Sequence, residues 1–362
     1  MDVKLYKSFS NELRKNWDNI KKENKAFFDF DWLKHWHITI GKKENIHPNI
    51  IVFKNSNITE AIFPFGIINF KGIVLVRFLG GDQNDYNYPL TTSNFRKIKK
   101  KNFLFNAINN YLPKYDLLLL EKIPKESLDF PVYEDFKSYI SNAENTFQLI
   151  LPNEVDKLKH IIKKKTFFDT RRQTKRLSEI GNLKFSIVDI DNDYEKKLFF
   201  KSLFSFKSAS YRSMGVNDMF SKTHYKNFYQ NIQLRSNNHL YLHMSILTLD
   251  NEIIALHWGI VQKNLFYFML PTYSKKWSKY SPGKVFLKKL IEWSIKNKIK
   301  IFDFTVGAED YKFNWTNSKS CIVKLSYSRS LRGKLMLLLI GFKEKIKLNK
   351  YFSNIVRKLR NY

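Results

Sequence analysis

The chain has 362 residues and a formal net charge of +30, with 43% hydrophobic and 16% aromatic residues. That much apolar surface excludes a disordered chain, and the length allows two domains with separate cores. A single cysteine, Cys321, excludes a disulfide framework and a zinc site built on cysteines. The excess of cations implies attraction to polyanions such as nucleic acid, an acidic lipid surface or a phosphorylated ligand. The competing reading is a biased composition, since Lys, Asn, Ile and Phe are all frequent and many lysines then only solvate the surface.

The N-terminus has no apolar run of signal type, and Leu335–Phe342 is far shorter than the roughly 20 residues that span a bilayer, so a cytoplasmic location is expected. In FDFDWLKHWHITIG, Trp32 and Trp36 are spaced as a helical core pair. His35 and His37 flank the second Trp on different faces, and no metal is expected. IIVFKN, ITEAIFPFGII and GIVLVRFLGG read as strands, the last entering Asp82-Gln83-Asn84-Asp85-Tyr86. That Gly-Gly-Asp loop is either turn chemistry or a place where Asp82, Asp85 and Tyr86 meet an acceptor's hydroxyls. DLLLLEKI reads as a buried strand, and a boundary is expected near 145–155.

A basic helix is predicted over 157–181, closed by Gly181. Arg172 and Arg176 share a face, and guanidinium forks suit phosphate oxygens; a solvated basic face is the alternative. KFSIVDI is a strand, a helix is predicted over 193–207, and 208–219 reads as a polar loop. Residues 239–249, 252–261 and 265–270 form a predicted antiparallel meander. His257 on its middle strand is a candidate base or a packing residue.

Pro271 is expected to stop the third strand before a polar loop that leads to Ser281-Pro282-Gly283. Ser suits an N-cap, Pro the first helical position, and Gly a close backbone approach. The helix then presents Val285, Leu287, Leu290 and Ile291 inward, and its free N–H groups form an anion site fit for a pyrophosphate. On the next strand, IKIFDFT, Asp303 is either a desolvated base or a structural carboxylate. Glu309, on the turn that follows with Lys312 and Trp315, is the more accessible candidate base. The tail from 331 mixes an apolar run with many cations and reads as a packing helix or a membrane-surface helix.

The run Tyr273 … Tyr280-Ser281-Pro282-Gly283 … Asp303-Phe304 … Gly307-Ala308-Glu309-Asp310-Tyr311-Lys312-Phe313-Asn314-Trp315 resembles the signature of the acetyltransferase family grouped with the cellulose-biosynthesis protein CelD, within the GNAT superfamily. Arg171-Arg172-Gln173-Thr174-Lys175-Arg176-Leu177-Ser178-Glu179-Ile180-Gly181 is similar to that family's arginine-rich helix, and Trp32–Trp36 and Gly80–Tyr86 to its N-terminal stretches. Ser274 stands where the family commonly has Asp, and Asn297 where it has Gly.

The resemblance implies an α/β fold with a mixed sheet and two tandem GNAT-like domains, 1–151 and 152–330, followed by a basic tail, 331–362. It implies an acyl-CoA donor held by Ser281, Pro282, Gly283, Lys284, Arg172 and Arg176. The acceptor, a sugar or amine of an envelope-polysaccharide precursor, would meet Asp85, Tyr86, Tyr273, Lys312 and Trp315, with Glu309, Asp303 or His257 as base. A Fem-type transfer from aminoacyl-tRNA shares the tandem plan, and a non-catalytic polyanion-binding or membrane-surface protein would keep the fold alone.

Overall fold

The computed structural model describes residues 1–20, 26–234, 240–307 and 309–348. His239, Ala308 and 349–362, which enter the sequence reading, lie outside them. The chain forms two compact units, Met1–Glu144 with the described part of Cys321–Tyr362, and Asn145–Ser320.

The first unit begins with β1 (Asp2–Tyr6), α1 (Asn11–Asn19) and α2 (Phe30–Trp36). A long hairpin follows, β2 (His47–Asn55) with β3 (Ile58–Phe70), then β4 (Ile73–Phe78) and the short β5 (Leu90–Thr91). After α3 (Ser93–Arg96) and α4 (Phe103–Tyr111) comes β6 (Leu117–Pro124). The chain enters the second unit along β7 (Ile140–Ile150). There it forms α5 (Leu158–Ile161), α6 (Lys164–Ile180), β8 (Leu183–Ile187), α7 (Asp193–Met214) and α8 (Thr223–Asn231). The meander β9 (Leu240–Leu249), β10 (Glu252–Gln262) and β11 (Leu265–Tyr273) leads to α9 (Pro282–Lys296) and β12 (Ile301–Val306). The chain then returns to the first unit along β13 (Ser318–Ser328) and ends in α10 (Leu331–Leu348).

Each unit holds a mixed sheet of the same plan. In the first the order is β1-β2-β3-β4-β6-β13, with β5 paired to β3; in the second it is β8-β9-β10-β11-β12-β7. Among the described residues each has a parallel pair, β4 with β6 and β11 with β12, and the other pairs within it are antiparallel. The strand–strand–strand–helix–strand order read from the sequence is therefore present over β9–β12. The strand that follows each parallel pair in these orders comes from elsewhere in the sequence. β13 returns to β6 from beyond the second unit, and β7 reaches β12 from before it. The second change of unit accordingly falls at 320/321, inside β13, and α10 belongs with the first unit, where the sequence reading closed a domain at 330 and set a tail apart.

Three local expectations are corrected. The basic helix is broken at Ile162, whose extended backbone separates α5 from α6. Residues 208–214 are helical, because the helical spacing of Phe200, Leu203 and Phe204 is taken up again past 207 by Tyr211. Pro271 does not end β11, which runs on to Tyr273. The N–H of Ser274 reaches Ile254 O of β10, so by alternation the Pro271 nitrogen faces the other edge, where a missing N–H breaks no ladder bond.

The core of the second unit lies between its sheet and the helices α6 and α9, with Leu177, Val285, Leu290, Ile291, Phe302 and Trp315 among its buried side chains. In the first unit Trp32 and Trp36 are buried, the core pair their spacing predicts.

Candidate functional site

The parallel ladder between β11 and β12 covers Leu265↔Ile301, Phe266↔Phe302 and Tyr267↔Asp303, and ends there. β11 continues for six residues to Tyr273, while β12 turns aside at Thr305, whose φ is +59°. The strands part, and a cavity of about 520 Å³ opens where Phe268, Pro271 and Thr272 have lost their neighbour. Its other walls are Ser210 and Met214 of α7, the start of α9 at Ser281, Gly283 and Lys284, and the aromatic rings of Tyr311 and Trp315.

Asp303 pins the parting. It is 1% exposed, accepts from Gln148 Nε2 at 2.8 Å, and accepts from the Thr305 N–H at 2.7 Å, which fixes the irregular turn of β12. Its charge, after burial, helps to raise the pKa of Tyr267. Asp303 is not among the cavity's lining side chains, and an amide and a backbone N–H are among its partners.

His257 does not line the cavity either. It is fully buried, stacked 4.8 Å from Phe268, and its Nε2 accepts the Met269 N–H at 3.2 Å. Burial, with His243 and Lys207 nearby, holds its pKa well below the usual value. A neutral ring whose acceptor nitrogen is already engaged is poorly placed to take a proton from a substrate, so the packing reading is the one the geometry favours.

At the start of α9, Ser281 adopts a left-handed conformation (φ +52°) and makes no side-chain cap, unlike the N-cap expected of it. Pro282 stands at the first turn as predicted, and Gly283 faces the ring of Tyr273, where a Cβ would lie 3.2 Å from Cδ1. The arginine helix is brought to the same place. Asp169 of α6 accepts from Lys284 at 3.1 Å and from Arg172 at 2.7 Å, and Lys284, then Arg172, lower its pKa. The Arg176 guanidinium lies 5.3 Å from the ring centre of Tyr280. Ser281, Gly283 and Lys284 thus stand at the positive end of α9 and line the cavity, while Arg172 is joined to Lys284 only through Asp169 and Arg176 lies on Tyr280, neither of them among the lining residues.

After β12, Lys312 is 3% exposed and ties the turn together, donating to Val306 O at 3.0 Å and Gly307 O at 3.2 Å and pairing with Glu309 at 2.8 Å. The Glu309 carboxylate is over half exposed and, like Asp303 and His257, is not among the cavity's lining residues. Two neighbours escaped the sequence reading. Burial lowers the pKa of Lys207 to about 8, with Glu309 pulling the other way, and burial, then Glu309, raises that of Tyr311. A lysine in register with Phe200, Leu203 and Phe204 is the signal that reveals Lys207.

Asp85 and Tyr86 belong to the first unit. Tyr86 is buried, with its ring 6.1 Å from that of Phe27, and the loop before it turns on Gly80 and Gly81, both at positive φ. Among the described residues no group of three or more His, Cys, Asp or Glu could hold a metal ion, and no helix is long and apolar enough to cross a membrane.

Residues 164–313 match the model of the acetyltransferase (GNAT) domain, so the second unit carries a GNAT-type acyltransferase domain. No curated protein matches the chain. Among solved structures it is similar to FemX, at 10% identity and a TM-score of 0.64 over 94% of this chain and 100% of that one. A conserved protein of unknown function from Bacteroides thetaiotaomicron gives 9% and 0.56, covering 91% of this chain and 100% of its own. The C-terminal domain of a putative lysylphosphatidylglycerol synthetase from Agrobacterium fabrum gives 9% and 0.55, covering 92% and 95%. At such identities the likeness is one of fold, and it spans both units.

Proposed function

We propose that the chain transfers an acyl group from an acyl-CoA, bound in the second unit, to an amine or hydroxyl of a sugar or envelope-polysaccharide precursor. The observation that carries the donor is the parted β11/β12 pair with the start of α9 and its cations at the mouth of the cavity. The backbone at Ser281–Gly283, with Lys284, Arg172 and Arg176, takes the pyrophosphate, and the pantetheine arm runs along the free edge of β11 past Pro271 and Tyr273. The CelD-like motif residues support the sugar acceptor.

Transfer needs an anchored donor and somewhere for the nucleophile's proton to go. Glu309, exposed and oriented by Lys312, takes that proton as the nucleophile attacks the thioester carbon, and the C–S bond breaks to release the thiolate of CoA. Tyr273 and Trp315 hold the acceptor against the donor.

A second reading is the Fem-type transfer, in which the donor is an aminoacyl-tRNA. Salt dependence separates the two. CoA offers few phosphates, so its affinity falls gently with salt, whereas a tRNA site loses about three orders of magnitude between roughly 50 and 200 mM. Acetyl-CoA or a longer acyl-CoA at about a hundred times its Kd should stabilise the protein by about 2.7 kcal/mol in thermal unfolding. No shift with any acyl-CoA at millimolar concentration, together with tight, aminoacylation-dependent tRNA binding near physiological salt, sinks the first reading and establishes the second.

A further inference from the structure

Helix α10 meets the first unit along one side only. At Gly333 a Cβ would fall 2.1 Å from the carbonyl oxygen of Asp116, so the helix touches the backbone there. Glu344 pairs with Lys324 at 2.5 Å. At about 100° per residue these two positions lie within about 20° of each other and define the inward face. Ser330 caps the helix, its Oγ accepting the Gly333 N–H at 3.1 Å.

The opposite face carries Leu331, Leu335, Leu338, Leu339 and Phe342, at i, i+4, i+7, i+8 and i+11. They are 78%, 62%, 70%, 57% and 64% exposed. Five large apolar side chains in one row, turned away from the core their own helix packs on, form a contiguous patch rather than scattered exposure. Its borders are cationic. Exposed Arg332 and Lys343 run along one edge and exposed Lys334 along the other, while Glu344, the acid of this helix, is turned inward. The sequence past Leu348 adds Lys350, Arg357, Lys358 and Arg360 with no acidic residue.

We infer that this face of α10 docks on an anionic lipid surface, with the helix lying in the plane of the interface. The leucines and Phe342 enter the boundary between headgroups and acyl chains, and the bordering cations stay at the level of the lipid phosphates. Charge is what selects this occupant. A protein partner or a second copy of this chain needs only the apolar row, whereas cations on both borders and in the sequence beyond match a surface that is negative everywhere. At about 27 Å for 18 residues the helix is a surface anchor, and its apolar row is too narrow for a membrane span.

The test is co-sedimentation of the full chain with vesicles, phosphatidylcholine alone against phosphatidylcholine with about 30% phosphatidylglycerol, near physiological salt. Binding to the anionic vesicles should exceed binding to the neutral ones by about tenfold or more. Leu335→Gln/Leu338→Gln/Phe342→Gln should lower it by about tenfold or more with thermal unfolding unchanged, since all three side chains are exposed, and Ile58→Gln, an exposed apolar position elsewhere in the first unit, should leave it as it was. Absence of the chain from both vesicle pellets overturns the inference, as does equal binding to both compositions or undiminished binding of the triple variant. So does sedimentation velocity showing that the triple substitution abolishes self-association in lipid-free buffer and leaves lipid binding intact. None of these readouts involves acyl transfer, so they stand or fall apart from the proposed activity.

Discussion

Among the described residues the two units repeat one strand order and part a parallel pair at the corresponding place, where the second opens a large cavity and the first a small one. In the first, β4 and β6 pair at Leu75↔Leu117 and Val76↔Leu118 and then separate. The room between them, beside Arg77, Gly81 and Lys122, is about 20 Å³, enough for one water. The difference lies in the chain that follows the fourth strand. After β11 only residues 274–281 precede α9, and they pass the gap without filling it. After β4 the chain runs from 79 to 102 before α4, and its first residues fold back inward. Asn84 is fully buried, accepting from Trp32 Nε1 at 2.7 Å and donating to Phe27 O at 3.2 Å and Asn87 Oδ1 at 3.0 Å, while Gln83 accepts from Trp36 Nε1 at 3.0 Å. Gly80 makes this possible at φ +99°, since a Cβ there would lie 2.2 Å from the Asn84 amide. Both helices start from a left-handed residue without a side-chain cap, Asn102 in one unit and Ser281 in the other. What separates a binding site from a sealed core in a shared topology is the length and packing of one connection.

Acidification should separate the units most. His243 and His257 are buried neutral between the sheet and α9, and burial brings the pKa of His243 down to about 3. Folded pKa values below the unfolded one mean that the unfolded chain binds more protons. The stability is therefore fully present above about pH 6.5 and is lost as pH falls toward 3, by about 1.4 kcal/mol per pH unit for each histidine. Denaturant titrations at pH 7, 6 and 5, with His243→Phe to remove one proton's share of the slope, check this, and a flat profile over that window contradicts it.

Asn84→Ala comes next. It strips buried partners from Trp32 and the Phe27 carbonyl and should cost about 3 kcal/mol in denaturant unfolding. A loss under about 1 kcal/mol would mean that the first gap is not held shut as described.

Asp303→Asn should cost about 1–2 kcal/mol, because Gln148 and Thr305 donate to different oxygens of the carboxylate and one of these becomes an NH2 that cannot accept. Glu309→Gln, on the exposed turn, should leave stability nearly unchanged while turnover falls about a hundredfold. The reverse pattern, with Asp303→Asn abolishing turnover at unchanged stability, would return the base to β12.

The smallest effect is expected of Arg172→Gln. Its pair with Asp169 is exposed and worth under about 1 kcal/mol of stability, so calorimetry should register weaker acyl-CoA binding with almost no change in unfolding.

Much of the second unit was legible because its elements advertise themselves locally. Apolar runs of strand length mark the meander, Pro282 marks the helix start, and the apolar spacing of Val285, Leu290 and Ile291 marks the face α9 buries. The helix proposed to hold the donor's phosphates, the strand–strand–strand–helix–strand order and the mixed α/β class were thus set by periods and punctuation within about 60 residues of chain. Three things were decided only in three dimensions. Whether Asp303 is a base or a brace depends on Gln148, which is 155 residues away and arrives on a strand exchanged past the unit boundary. Whether the Gly-Gly-Asp loop binds or seals depends on Trp32 and Trp36 finding Asn84 and Gln83. Whether the row of leucines in α10 is core or surface depends on which side Gly333 turns toward Asp116. In each case the sequence fixes what a side chain can bond, and long-range packing alone decides which partner reaches it.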